Sequence, residues 1–315
     1  MQKSALEICD LARTPSPEAW RIICETLDAM PLQQASRVMW RLNKFLAGWP
    51  DELRATMCGM SWDDKFFEGK PNPRSSIVRH LRVDKIFAGR YGHLVFRDVR
   101  LSPESLEKLG QSRVARHLTM LTISGNPVGA LGMQQLAHGE HLENLRHLTA
   151  NRCQFGPRGF EILARSPLFA QLESLSLTDN DFNESALDVL ATLAKPVALQ
   201  RLALDDNPIG RIGAAFLATT PAFSALTQLS LSACGLGVDG AKELADAMFP
   251  ALEELDLTHC FVGVAGVTAL AGAKHLAGLK ALKFDSFGSG YVEDPFVTAE
   301  GVRAIAGSPH LKNLT

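Results

Sequence analysis

Two groupings in this chain hold residue types that could do chemistry. His138 and His141 stand three apart in HGEH, and His259 adjoins Cys260, three residues beyond Asp256. A zinc site needs three or four ligands of imidazole, thiolate or carboxylate type. The histidine pair supplies two, and nothing nearby in the sequence completes the set. Asp256, His259 and Cys260 together contain the parts of an activated thiol. Cys260, however, falls at a recurring position expected to point inward, where burial keeps a thiol protonated and inert. The glycines of GNPVGALG, residues 125–132, fall at a strand-to-helix turn and are expected to serve tight turns rather than to cradle phosphate. GxSxG, HExxH, Walker and CxxC patterns are all missing from the sequence. These residues predict no catalytic group, metal or cofactor.

The composition narrows the partner classes. The 315 residues are 46% hydrophobic and 21% charged, with a formal net charge of −2. Such a balance gives no bulk attraction to nucleic acid or to an anionic membrane. The N-terminus lacks an apolar signal core, and the charge-free stretch 262–273 is shorter than the roughly 20 residues that cross a bilayer. The expectation is a cytoplasmic protein whose six cysteines are free thiols.

The elements that position these residues come from repetition. Segments open at Tyr91, Leu118, Leu145, Leu172, Leu199, Leu226, Leu252 and Leu279, so successive starts differ by 27, 27, 27, 27, 27, 26 and 27 residues. A period of this size predicts a solenoid. Each segment alternates apolar and polar residues, as in Leu175 and Leu177 or Leu202 and Leu204, which predicts a short strand with one buried face. Fourteen residues after the opening position comes a small residue: Gly132, Gly159, Ala186, Gly213, Gly240 or Gly266. A leucine follows four later, at helical spacing. Between strand and helix, Asn126, Asn180 and Asn207 share one position with Cys153, Cys234 and Cys260.

The LxxLxLxxNxL pattern, carried from residue 91 to the end, resembles the leucine-rich repeat, and strand plus helix in each unit resembles its ribonuclease-inhibitor-like type. The resemblance implies an α/β right-handed solenoid, with a parallel sheet on the concave face and helices on the convex one. It also implies that the Asn/Cys side chain turns inward and bonds neighbouring loop backbone, and that the concave face binds proteins. Residues 1–88 lack the period and hold all four tryptophans, Trp20, Trp40, Trp49 and Trp62. They are expected to form a helical cap over the first repeat, with the tryptophans as its packing, and 89–315 to form the solenoid. Ser16 and Pro17 read as the start of one cap helix, and PLQQASRVMWRLNKFLAGW as a second ending at Gly48.

Alternation turns the third, fifth and seventh positions of each segment into the hollow. The middle repeats carry mostly serine and threonine there, while Arg97, His93 and His147 stand at the start and Glu254, Asp256 and Asp285 at the end. After Leu279 the rhythm breaks. Gly301 comes 8 residues late, and Leu311 is expected to open the ninth segment, for a net insertion of 5 (8 − 3). The inserted stretch carries Phe287, Tyr291 and Phe296, either as a binding loop or as a lid on the solenoid's end. The end at Leu311 and Leu314 reads as a strand just begun, from a shortened chain or an edge covered by the loop or by another chain.

The expected function is a non-enzymatic interaction scaffold for a protein partner with a basic surface. Its footprint would be Asp205, Glu254, Asp256, Lys283, Asp285, Phe287, Tyr291 and Phe296, the last three within the loop 287–296. A second expectation comes from the N-terminal segment, which is similar to the F-box at Pro17–Glu18, Ile22, Ile23, Leu27, Met30–Pro31, Val38 and Trp40, with Ser16 where that family has leucine. This implies an adaptor with repeat-borne substrate recognition. A third is an activator of a small GTPase, since the Ran GTPase-activating protein shares this repeat type, although no catalytic arginine loop can be matched.

Overall fold

A computed structural model describes residues 5–54, 80–82, 101–113, 115–284 and 299–315. Eight three-residue parallel strands form one sheet in chain order: β1 (His80–Arg82), β2 (Met120–Thr122), β3 (His147–Thr149), β4 (Ser174–Ser176), β5 (Arg201–Ala203), β6 (Gln228–Ser230), β7 (Glu254–Asp256) and β8 (Ala281–Lys283). From β2 onward each residue pairs with one 27 positions later, except 26 between β6 and β7. The middle leucine of each of β2 to β7 is at most 2% exposed, with half-buried or exposed neighbours on either side. That is the alternation of a sheet with one dry face.

Helices return the chain on the opposite side. Gly129–Ala137, Gly156–Ala164, Gly210–Thr219, Gly237–Ala245, Gly263–Gly272 and Ala299–Ala306 are α-helical, as the leucine spacing predicts. The small residue lets each helix close down on the loop before it. A Cβ added at Gly213 would lie 2.7 Å from Ile209 Cβ, well inside contact. Where this residue is Ala186, the segment Glu184–Thr192 winds instead as a tighter 3-10 helix.

The inward Asn/Cys position stitches the units together. Asn207 accepts from the backbone N–H of Asn180 at 2.9 Å and of Phe182 at 3.1 Å, and donates to the Leu177 carbonyl at 3.0 Å. Asn180 does the same to Cys153 N–H (3.0 Å) and the Ala150 carbonyl (2.8 Å). Cysteine keeps the donor contact with a thiol in place of the amide. The thiols of Cys153, Cys234 and Cys260 donate to the carbonyls of Ile123, Leu204 and Leu231 at 3.4, 3.2 and 2.8 Å. Buried backbone groups that a turning chain would strand are thereby paired.

The N-terminal block holds α1 (Ala5–Leu11), α2 (Pro17–Asp28) and α3 (Leu32–Leu46). Ser16 caps α2 by accepting from Ala19 N–H at 3.1 Å, with Pro17 at the first helical position. Trp20 and Trp49 are buried with ring centres 6.2 Å apart, and Trp49 Nε1 donates to the Ala12 carbonyl. Trp40 departs from the expected packing role and is 68% exposed, because it lies on the outer face of α3; Trp62 lies outside the described residues. Asp51, in the turn after α3, accepts from Thr119 Oγ1 at 2.6 Å beside the sheet. The cap residues and the repeats share one continuous apolar core.

Two places differ from the expected register. The strand beside β2 is His80–Arg82, 40 residues before its partner (120 − 80), while the strand expected from Tyr91 lies outside the described residues. At the other end, Thr315 N–H donates to the Lys280 carbonyl, as Lys280 N–H does to Glu253 and Glu253 N–H to Thr227. The residue preceding Thr315, Leu314, therefore opens the ninth unit, and Leu311 corresponds to Leu276. The interval from Leu279 is 35 residues (314 − 279) and the insertion is 8, rather than 5.

Candidate protein-binding surface

Two rows of side chains cross the open face of the sheet, fixed by the strand register. One runs Met120, His147, Ser174, Arg201, Gln228, Glu254 and Ala281; the other runs Thr122, Thr149, Ser176, Ala203, Ser230, Asp256 and Lys283. Across β4 to β8 they line a shallow depression of about 270 Å³, while the side chains of Leu175, Leu202, Leu229 and Leu255 are buried on the dry side of the sheet. Arg201 lies across β4: its Nε donates to Ser174 Oγ at 3.3 Å and its Nη2 sits 3.3 Å from His147 Nδ1.

The acidic end is already partly matched from within. Lys283 Nζ is 3.4 Å from Asp256 Oδ2, and Asp256 Oδ1 accepts from Thr258 Oγ1 at 2.6 Å and Thr258 N–H at 3.0 Å. Burial pushes the Asp256 carboxyl up, but the Thr258 and Lys283 hydrogen bonds outweigh it and hold it below the usual carboxylate range. Glu254 is exposed, and no described residue pairs with its carboxylate. Asp205 has an internal task. It accepts from Ser230 Oγ at 2.5 Å and Ser232 N–H at 2.8 Å, tying β5's loop to β6's. Asn151 does the same two units earlier, through Ser176 Oγ and Thr178 N–H.

The structure thus brings Glu254, Asp256 and Lys283 together on one face with Arg201, and places Asp205 at its rim. Asp285, Phe287, Tyr291 and Phe296 lie outside the described residues. Arg201 is absent from the expected footprint; its signal in the sequence was that it is the one arginine in the row Met120, His147, Ser174, Arg201, Gln228, Glu254 and Ala281. Among the F-box-like positions, Ile23, Leu27, Met30 and Val38 are buried in the cap and Trp40 is exposed. Of the groupings first considered for chemistry, Cys260 is buried with its thiol pushed up by desolvation, and His138 Nδ1 lies 2.8 Å from the Gln134 carbonyl.

Comparison with known proteins gives one family match: a profile described as Leucine Rich repeat fits residues 225–245 and 250–271, the units of β6 and β7. A search of curated proteins gives no match. Among solved structures, a chain of the TLR13–ssRNA13 complex is 18% identical over 79% of this chain and 33% of its own, at a TM-score of 0.38. This chain thus spans about a third of that protein's length. A chain of the Rad7 and Elc1 complex in yeast is 13% identical over 89% of this chain and 81% of its own, at a TM-score of 0.27.

Proposed function

We propose that the chain is a leucine-rich-repeat protein, a non-enzymatic scaffold of the ribonuclease-inhibitor-like type; the family profile that fits the units of β6 and β7 supports this reading. It binds a protein partner across the open sheet between β4 and β8. The observation that carries this reading is the shallow, broad depression of about 270 Å³, lined by the small residues Ser176, Ala203 and Ser230 and edged by Arg201, Glu254 and the Asp256–Lys283 pair. A small-molecule site encloses most of its ligand, whereas a protein surface needs breadth and a polar rim. The edge carries both signs of charge, which suits a protein segment better than a phosphate polymer. Glu254 gives the partner's basic group its landing point, and the loop 287–296 extends the footprint.

Five described cysteines are free, which supports a reducing, cytoplasmic setting. No described helix is long and apolar enough to cross a membrane. The test is partner capture from the source lysate with the full chain and with an Arg201→Glu/Glu254→Lys variant. The captured protein should be lost at least 10-fold by the variant while its thermal melt is unchanged. Equal capture by both would remove this face as the binding site.

A further inference from the structure

The outer face of α3 is unlike any other on the cap. Arg37, Trp40, Arg41 and Lys44 recur at helical spacing and are all exposed. Trp40 is 68% exposed, although Trp20 and Trp49 in the same block are 2% and 5% exposed. Lys44 Nζ stands 4.6 Å from the Trp40 ring centre. A groove of about 530 Å³ runs beside the indole, lined by Gln34, Arg37, Val38, Trp40 and Arg41. Other cap cations are matched: Arg21 pairs with Glu18 and Glu25, and Arg13 with Asp10. Among the described residues no carboxylate lies within ion-pair distance of Arg37, Arg41 or Lys44.

We infer that this face is a second docking surface, which takes an acidic peptide segment of another protein with one apolar anchor residue. Two guanidiniums one turn apart, Arg37 and Arg41, receive carboxylates in their planar two-point geometry. Between them the Trp40 and Val38 wall receives the apolar side chain, as aromatic and arginine residues do at interface hot spots. Charge complementarity selects an acidic occupant. A bilayer is a poorer fit, because a membrane-surface helix presents a row of apolar side chains. Here the exposed aromatics are Trp40 and Phe45, beneath Lys44 and Arg13 respectively. A nucleic acid base stacks on an open ring face, and Lys44 occupies one face of Trp40.

The experiment pans a random dodecapeptide display library against the full chain, with an Arg37→Glu/Arg41→Glu variant and a Trp40→Ala variant as counter-targets. Circular dichroism melts confirm that both variants fold; should either fail, Arg37→Gln/Arg41→Gln replaces it. The expected result is enrichment of peptides rich in Asp and Glu around one large apolar residue, with affinity falling at least 10-fold in each variant. Selected peptides without acidic excess, or bound equally by the variants, would overturn the inference. So would tighter variant-sensitive binding of a dT20 oligonucleotide, or of phosphatidylserine vesicles, measured in parallel.

Discussion

Asn207 shows how much one side chain holds in this fold. Its oxygen accepts two backbone N–H groups of the preceding unit, and its amide donates to carbonyls of Leu177, Leu204 and Asp205. Leucine there would fill similar space and strand those groups in a dry interior, which costs about 1–3 kcal/mol for each polar group left unpaired. Asn207→Leu is therefore expected to lose about 3 kcal/mol or more in urea unfolding, and an unchanged midpoint would refute the role. Cysteine at the same position donates its thiol to the equivalent of one of those carbonyls. Burial raises the Cys153 thiol to about 12, partly offset by the Asn126 and Gly125 backbone, so the native chain should leave it unreacted with Ellman's reagent at pH 8 until it unfolds. His275 gives the acid-side counterpart. Burial lowers its pKa, opposed in part by the Leu244 backbone and Asp246, and its Nε2 has no partner among the described residues. The folded state thus favours the neutral ring. Its contribution is complete above the ordinary value near 6.5 and lost as pH falls below it. His275→Gln should flatten the stability profile between about pH 6.5 and 5, and an unaltered slope would count against it.

At the scale of elements, strands β2 to β8 and the convex helices were legible because a half-buried strand and a packed helix each impose their own spacing. The alternation of Leu175 and Leu177 and the four-residue step from Gly213 to Leu217 are direct prints of burial on sequence. The glycine step carries its own prediction. Gly213→Val would drive a branched side chain into Ile209, whose Cβ lies 2.7 Å from the added Cβ. Overpacking of this kind costs about 1–3 kcal/mol, to be read as a lowered unfolding midpoint with the partner surface still functional. The ends were less legible. Leu311 and Leu314 repeat the three-residue step of Leu276 and Leu279, so apolar pattern alone allows two registers; the bond from Thr315 N–H to Lys280 decides between them. β1 lies outside the 27-residue period, 40 residues before its partner in β2, so the period did not mark it as the neighbouring strand. Trp40 was misread for another reason. Its helical neighbours Arg37, Arg41 and Lys44 already place it on the polar face, and only its residue type pointed to burial. In the candidate site, sequence alternation predicted the open face itself, but not that Lys283 already meets Asp256 or that Asp205 is tied to Ser230 and Ser232.

On the scale of the whole molecule, stability is a sum of neighbouring units, each covering the apolar flank of the next. Edge-to-face contacts between buried phenylalanines link the units: Phe160 meets Phe182 at 5.4 Å and Phe169 at 6.4 Å, and Phe169 meets Phe223 at 6.4 Å. At the N-terminal side the expected cap is the helical block, whose Asp51 bonds Thr119 beside the fully buried Leu81. Removing residues 1–54 would uncover that flank at about 25 cal/mol per Å² of apolar surface returned to water. The truncated chain is expected to aggregate, or to unfold at lower urea with the loss concentrated near β1 and β2. Hydrogen exchange resolves this, because exchange in a solenoid reports each unit's local opening. Amides of β2 and β3 should lose protection first, while those of β6 and β7 keep theirs. Uniform protection in a soluble, monomeric truncation would instead make the N-terminal block a separate folding unit. The α3 face would then be attached to the solenoid rather than built upon it.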